Sequence, residues 1–250
     1  MSELVAVLST CLADAFAPEV AAAAMDLVAG TGARPEAISH LCCGQPAWNA
    51  GHPLQARHLA RALLRRLAGY DRIVVPSGSC AAMLLHVYPE LFSAGDPARP
   101  DARFVAERTV ELTRYLLPSL DRIPWEPETP SAVALHTSCH AIRGAGAGGS
   151  SERCLAAAGC PLLRQDGATE CCGFGGLFAV NQAELSTAMA DRKLDALCST
   201  GTDTVVSSEL GCLLHLEGRA HRRGLPLHFR HLAEVLRDRW STEGPSDARA

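Results

Sequence analysis

A cysteine pattern written twice constrains this chain more than any other feature. Cys11, the vicinal pair Cys42-Cys43 followed by Gly44, and Cys80 are matched by Cys139, Cys171-Cys172 followed by Gly173, and Cys212. The intervals agree. Between Cys11 and Cys42 lie 30 residues, and between Cys139 and Cys171 lie 31; each pair is then followed, after 36 and 39 residues, by its last thiol. Self-similarity of this kind marks a tandem architecture in which each copy builds the same supersecondary unit. The expected division is a first cysteine-rich repeat over 1–125, a second over 131–240 and a disordered tail over 241–250. Each repeat should carry one metal or cluster site.

With 250 residues, 48% of them hydrophobic, the chain has material for one large core or two small ones. A net charge of −4 excludes the concentrated basic surface that nucleic acid requires. No apolar run approaches the ~18 residues of a membrane-spanning helix. The opening Met1-Ser2-Glu3-Leu4 places no basic region ahead of a long apolar stretch, so no secretory signal is expected. Eleven cysteines without an export signal point to the reducing cytoplasm, where thiols stay available as ligands rather than pairing as disulfides.

Short β-prone runs alternate with longer helical ones, which predicts an α/β fold with a small, mainly parallel sheet and flanking helices in each repeat. Strands are expected over Val5–Ser9, Ala37–Leu41, Arg72–Pro76, Val133–Thr137, Pro161–Arg164 and Thr204–Ser207, and helices over Pro18–Ala29, Pro53–Ala68, Ser151–Ala158 and Gln182–Cys198. Pro118–Ser131 reads as the linker between halves. Every motif thiol then sits at or beyond the carboxyl end of a strand, the edge at which open α/β sheets bind ligands. Glycines such as Gly44 and Gly173 allow the tight backbone that such loops need.

Thiols in fours suit iron–sulfur clusters or zinc. Zinc sites are usually built from two close pairs a few residues apart, whereas each half here has one vicinal pair, a better match to a multi-iron core. Cys154, Cys160 and Cys198 fall outside the repeat and read as small buried apolar residues. His136 and His140 flank Cys139, and His40 precedes Cys42. Each either hydrogen-bonds a cluster sulfur, replaces a thiol as ligand, or packs as an ordinary histidine. His215 and His221 are expected to be solvated. Gly144–Gly149 has the wrong spacing for a dinucleotide fingerprint and reads as loop.

The strings Cys42-Cys43-Gly44-Gln45-Pro46-Ala47, Ser77-Gly78-Ser79-Cys80, Cys171-Cys172-Gly173-Phe174-Gly175-Gly176 and His231-Leu232-Ala233-Glu234-Val235-Leu236 resemble those of the CCG-motif iron–sulfur proteins, most of all the lactate utilization A proteins. Related repeats occur in the iron–sulfur subunit of glycolate oxidase and in the cysteine-rich subunits of anaerobic glycerol-3-phosphate dehydrogenase and of heterodisulfide reductase. The resemblance implies an electron-transfer subunit of a complex that oxidises L-lactate to pyruvate. Lactate utilization proteins B and C would be its partners, or a flavoprotein dehydrogenase if the metabolite is glycolate or glycerol 3-phosphate. Such a chain would be cytoplasmic, or held at the inner face of the membrane through its partners.

It also implies the ligand sets Cys11, Cys42, Cys43 and Cys80 for one cluster and Cys139, Cys171, Cys172 and Cys212 for the other. Ser77 and Glu209 stand where the heterodisulfide reductase branch carries a fifth cysteine, as weak oxygen ligands or as plain replacements. Four thiols per half suffice for a conventional [4Fe–4S] cluster. Two rivals are a thiol–disulfide reductase and a module in which zinc has a structural role in one or both sites. No residue reads as a general base for a hydroxy acid.

Overall fold

The computed structural model describes residues 2–241; of the tail expected over 241–250, all but Ser241 lies outside the described residues. Two four-stranded parallel sheets follow one plan. In the first, β1 (Leu4–Leu8), β2 (Arg34–Ile38), β3 (Arg72–Val75) and β4 (Thr109–Glu111) lie in the order β2-β1-β3-β4. In the second, β5 (Val133–Leu135), β6 (Leu162–Leu163), β7 (Thr204–Ser207) and β8 (His228–His231) lie in the order β6-β5-β7-β8. This is the α/β tandem that the doubled motif predicts.

The chain leaves β1 to one side for β2 and to the other for β3, with Leu4 to Leu8 in register on Arg34 to Ile38, and Val5 to Val7 on Arg72 to Val74. β5 divides β6 from β7 in the same way. Where the winding reverses, the carboxyl ends of adjacent strands open a crevice, the usual ligand position in such sheets. Cys11 opens the helix Cys11–Phe16 after β1, and Cys80 lies in the helix Gly78–Ala82 after β3. Cys139 and Cys212 occupy the same places after β5 and β7. The topology alone therefore brings together thiols distant in sequence.

Val5–Leu8 and Ile73–Val75 are buried, because helices cover both faces of a parallel sheet. β2 is an edge strand and tolerates Pro35, whose missing N–H would be costly in a central position. It ends at Ile38 rather than Leu41, since His40 takes a left-handed φ of 60° and turns the chain toward the cysteine pair. Two strands had no apolar run to announce them: Thr109–Glu111 and His228–His231.

The halves share a core. Along the helix Pro18–Gly30, Val20, Ala23, Ala24, Leu27 and Val28 form a buried stripe at helical spacing. Most of it packs in one apolar cluster with Leu232, Ala233 and Leu236 of the last helix, Leu232–Asp238. Val5, Val7, Val74, Val133, Leu135 and Val206 complete that cluster, and Cys154 and Cys160 fill it as small apolar residues. Cys198 departs from its expected burial: it ends the helix Ala183–Cys198 and is exposed. The stretch Pro118–Ser131 is not wholly irregular either. Leu117–Arg122 forms a 3-10 helix, and Leu120 and Ile123 anchor it in the core. Among the described residues, no helix is long and apolar enough to cross a membrane.

Candidate metal centre

Each motif thiol is held by a local device that the sequence encodes. Thr10 and Ser138 cap the helices that begin with Cys11 and Cys139, their hydroxyls accepting from the N–H of Ala13 (3.2 Å) and Ala141 (3.1 Å). Ser77 caps the helix carrying Cys80 and accepts from the Cys80 N–H at 3.3 Å. Both vicinal pairs are followed by a glycine in the left-handed region, Gly44 at φ 85° and Gly173 at φ 90°. That turn aims the Gly44 N–H at Cys42 Sγ and the Gly173 N–H at Cys171 Sγ, each at 3.4 Å. The backbone N–H groups of Leu12 and Gln45 favour the anionic forms of Cys11 and Cys43, and those of His140 and Phe174 do so for Cys139 and Cys172.

The thiols converge within each half. Cys11 contacts Cys42, Cys42 contacts Cys43, and Cys43 Sγ lies 3.4 Å from Cys80 Sγ. In the second half Cys139 contacts Cys171, Cys171 contacts Cys172, and Cys172 Sγ lies 2.9 Å from Cys212 Sγ. All eight are free of disulfides. Their acidities divide by position. Cys42 is pulled down to about 3 and Cys171 to about 2, because each receives hydrogen bonds from the thiols on both sides and from the following glycine N–H. Cys11, Cys43, Cys139 and Cys172 are pushed up, chiefly because each donates to a neighbouring thiol that is then the anion, and then by burial. Thiolate is the metal-binding form of cysteine, and the hydrogen bonds converging on Cys42 and Cys171 favour that form at one sulfur in each quartet.

Seven of the eight thiols line a common cavity of about 210 Å³, Cys11, Cys43 and Cys80 from one half and Cys139, Cys171, Cys172 and Cys212 from the other, while Cys42 lies outside the lining. Leu12, Phe174 and Leu210 add apolar walls. Glu209 crosses between the halves. Its carboxylate accepts from Ser77 Oγ (3.0 Å), the Ser79 N–H (2.8 Å) and Ser79 Oγ (3.1 Å). The two positions that depart from the five-thiol pattern are thus paired with each other. Burial pushes the Glu209 carboxyl upward, and these donors only partly offset it. Glu209→Ala would remove the acceptor of the Ser79 N–H and of the Ser77 and Ser79 hydroxyls, which would keep only each other at 3.2 Å, at a cost of about 1–3 kcal/mol. A lowered denaturation midpoint, smaller for Glu209→Gln, is the expected result; an unchanged midpoint for the alanine variant would show that the bridge contributes nothing.

The histidines separate by environment. His136 is fully buried one residue beyond β5, its N–H donating to the Val206 carbonyl at 2.8 Å. One of its ring nitrogens lies within 4.8 Å of Cys172 Sγ and Cys212 Sγ. Burial, then the nearby Lys193 charge, push its pKa down to about 3, which favours the neutral ring. His140 is half-buried, with Nδ1 3.7 Å from Cys139 Sγ. His40 is exposed and acts through its backbone, donating to Asp14 Oδ2 at 2.6 Å. The expected solvation of His215 does not hold. Its ring packs 5.8 Å from that of Phe174 and reaches Ser186 Oγ at 3.4 Å, because its turn of helix faces the loop after Cys172. His221 is exposed, as expected.

Lys193 escaped the sequence reading. It is only 2% exposed and lies on the stripe Ser186, Ala190, Lys193, Leu194 and Leu197, so a charged residue at a core spacing was the available signal. Nζ donates to the Gly167 carbonyl at 2.6 Å, in the loop that leads to Cys171.

Soft sulfur donors gathered in fours, with N–H groups aimed at several of them, fit a thiolate-bound metal or cluster. The fold and this donor set define a cysteine-rich, metal-binding protein of two tandem repeats. The CCG family, described as "Cysteine-rich domain", matches residues 5–85 and 133–217, one stretch in each half. The chain is 38% identical over 235 residues to Lactate utilization protein A of Geobacillus kaustophilus (strain HTA426), covering 92% of this chain and 97% of that protein. It is 37% identical to Lactate utilization protein A of Geobacillus thermodenitrificans (strain NG80-2), again with 92% and 97% covered. Lactate utilization protein A 2 of Bacillus cereus (strain Q1) is 33% identical over 231 residues, 91% of this chain and 95% of that one. The chain belongs to the CCG cysteine-rich domain family and, within it, to the lactate utilization protein A family.

Proposed function

We propose that this protein is an iron–sulfur electron-transfer subunit of a multi-protein oxidoreductase that oxidises L-lactate to pyruvate. The observation that carries this reading is the pair of thiol quartets at the ends of two equivalent sheets, seven of their eight thiols lining one cavity. Relatives that match nearly the whole chain carry lactate utilization in their names, which supports the metabolic assignment. Cys11, Cys42, Cys43 and Cys80 would hold one [4Fe–4S] cluster and Cys139, Cys171, Cys172 and Cys212 the other. When bound, such a cluster supplies reversible one-electron chemistry.

The chain's own contribution is position and environment. Strand ends and helix caps fix the thiols, backbone N–H groups stabilise their charge, and apolar side chains wall part of the space between the quartets. Partner contact has support on the surface. Among the described residues, the exposed large apolar side chains are Phe16, Trp48, Leu54, Leu177, Val180 and Leu185. All six fall within about a dozen residues after a motif thiol in sequence, and Leu177 lines the cavity itself. A docking partner on that side, such as lactate utilization protein B or C, would receive or deliver electrons over a short distance.

One observation favours zinc in the second site: His136, Cys172 and Cys212 offer one nitrogen and two sulfurs within 4.8 Å, a donor set that zinc accepts. A single experiment separates the readings. Anaerobically purified protein is assayed for iron, acid-labile sulfide and zinc, with electron paramagnetic resonance of reduced and oxidised samples. Iron and sulfide near four of each per site support two [4Fe–4S] clusters. Zinc without sulfide sinks the electron-transfer reading.

A further inference from the structure

The two halves match in fold but not in what surrounds their thiols. Cys11 and Cys139 are equivalent, so the residue three positions earlier is Leu8 in the first half and His136 in the second. Leu8 is buried in the apolar cluster that contains Cys43 and Cys80, while His136 stands beside Cys172 and Cys212. A second pair follows from the loop glycines. Gly44 faces Ala56 and Leu59, and Gly173 faces Ser186 and Met189. Seven residues beyond Ala56 is Leu63, buried in that same first cluster; seven beyond Ser186 is Lys193.

Two leucines around one quartet are therefore replaced by an imidazole and an ammonium around the other. Neither ring nitrogen of His136 has a hydrogen-bond partner among the described residues, although both atoms are buried. A buried polar group left without a partner costs free energy, and such groups call for an explanation in function. His136 shares the inward face of β5 with Ala134, and that face looks onto Cys172, Cys212 and the helix bearing Lys193. Cluster potentials are set by net charge and by hydrogen bonds to sulfur, and both residues act in one direction: a donor and a positive charge favour the more negative, reduced cluster.

We propose that the two centres are unequal in potential, and that His136 and Lys193 make the second the more readily reduced, so that an electron entering the protein comes to rest on the Cys139–Cys171–Cys172–Cys212 side. In this role His136 and Lys193 are tuning residues of the second centre. The inference rests on the iron–sulfur reading and adds a direction of transfer within the subunit. With clusters bound, an electron supplied by a reduced partner would come to rest at the second centre, which a further acceptor would reoxidise.

The test is a reductive titration of the anaerobically purified holoprotein, followed by electron paramagnetic resonance, with His136→Leu and Lys193→Met compared to the parent. Two midpoints are expected. Each substitution lowers the higher one by about a tenfold change in the oxidation equilibrium, about 59 mV for a one-electron couple, and leaves the lower one in place. The Cys42→Ser variant, retaining only the second centre, should keep the higher midpoint. For metal-free protein, His136→Leu should leave the denaturation midpoint unchanged or raise it, which a residue kept for packing would not do. Coincident midpoints, or a higher midpoint that neither substitution moves, overturn the inference while leaving the cluster reading intact. Absence of iron and sulfide in the parent would instead fail the reading beneath it, and zinc in the second site would overturn both the reading there and the inference.

Discussion

Cys42→Ser is expected to remove the first metal centre and spare the second, and Cys171→Ser to do the reverse, each variant retaining about half the metal of the parent protein. The quartets draw on separate segments, 11 to 80 and 139 to 212, and no thiol belongs to both. Cys42 and Cys171 are drawn toward the anionic form, each the acceptor for its neighbours. A serine hydroxyl is a far harder donor and keeps its proton, so it cannot supply the anionic sulfur at the middle of the chain of contacts. Cys160→Ser is the control: that thiol is buried in the shared apolar core, away from both quartets, and its replacement should leave metal content unchanged. Metal and sulfide analysis of the three variants decides the matter. Full metal in Cys42→Ser or Cys171→Ser would show that the ligand sets are wrongly drawn.

Much of this was legible in the sequence because the informative signals were local or repeated. Each thiol loop is announced by its own residues, such as Thr10 and Ser138 as caps, or Gly44 and Gly173 as left-handed turns. The central strands β1, β3 and β7 appear as apolar runs because both their faces are covered. β4 and β8 gave no such signal. Thr109-Val110-Glu111 and His228-Phe229-Arg230-His231 are short edge strands of polar composition. They end in buried caps, Glu111 and His231, whose side chains satisfy the first N–H groups of the next helix. Capping by a buried acid or imidazole is a tertiary arrangement, and an apolar-pattern search passes over it.

The contrast between the two centres was only half legible. His136 was visible as a histidine near a thiol, but its choice among ligand, hydrogen-bond donor and packing residue required knowing what faced it. Lys193 was hidden by the ordinary expectation that lysine on a helix is solvated. Ser77 and Glu209 showed as departures from a pattern; that they bond each other across the halves depends on how the two sheets are set together, which no spacing within one repeat records.

Gly173→Ala is the second large effect expected, and its counterpart Gly44→Ala calibrates it. Both glycines sit in the left-handed region, at φ 90° and 85°, which an alanine enters at a cost of about 1–3 kcal/mol. The surroundings then differ. A Cβ on Gly173 would lie 2.6 Å from the Ser186 carbonyl oxygen and 3.0 Å from Met189 Cβ, whereas one on Gly44 would meet the Ala56 carbonyl oxygen at 3.1 Å. The first contact is with helix backbone that cannot rotate away; Ser186 is moreover tied to the same loop, its hydroxyl donating to the Gly173 carbonyl at 2.8 Å. Forcing the helix Ala183–Cys198 outward adds an overpacking cost of about 1–3 kcal/mol. It would also shift Cys171 and Cys172 relative to Cys212. The Gly173→Ala protein should therefore show a clearly lower denaturation midpoint than Gly44→Ala and lose metal from the second centre, with the first retained. Equal midpoints for the two variants would mean that the loop after Cys172 relaxes freely, and that the close approach of loop and helix does not hold the second quartet in place.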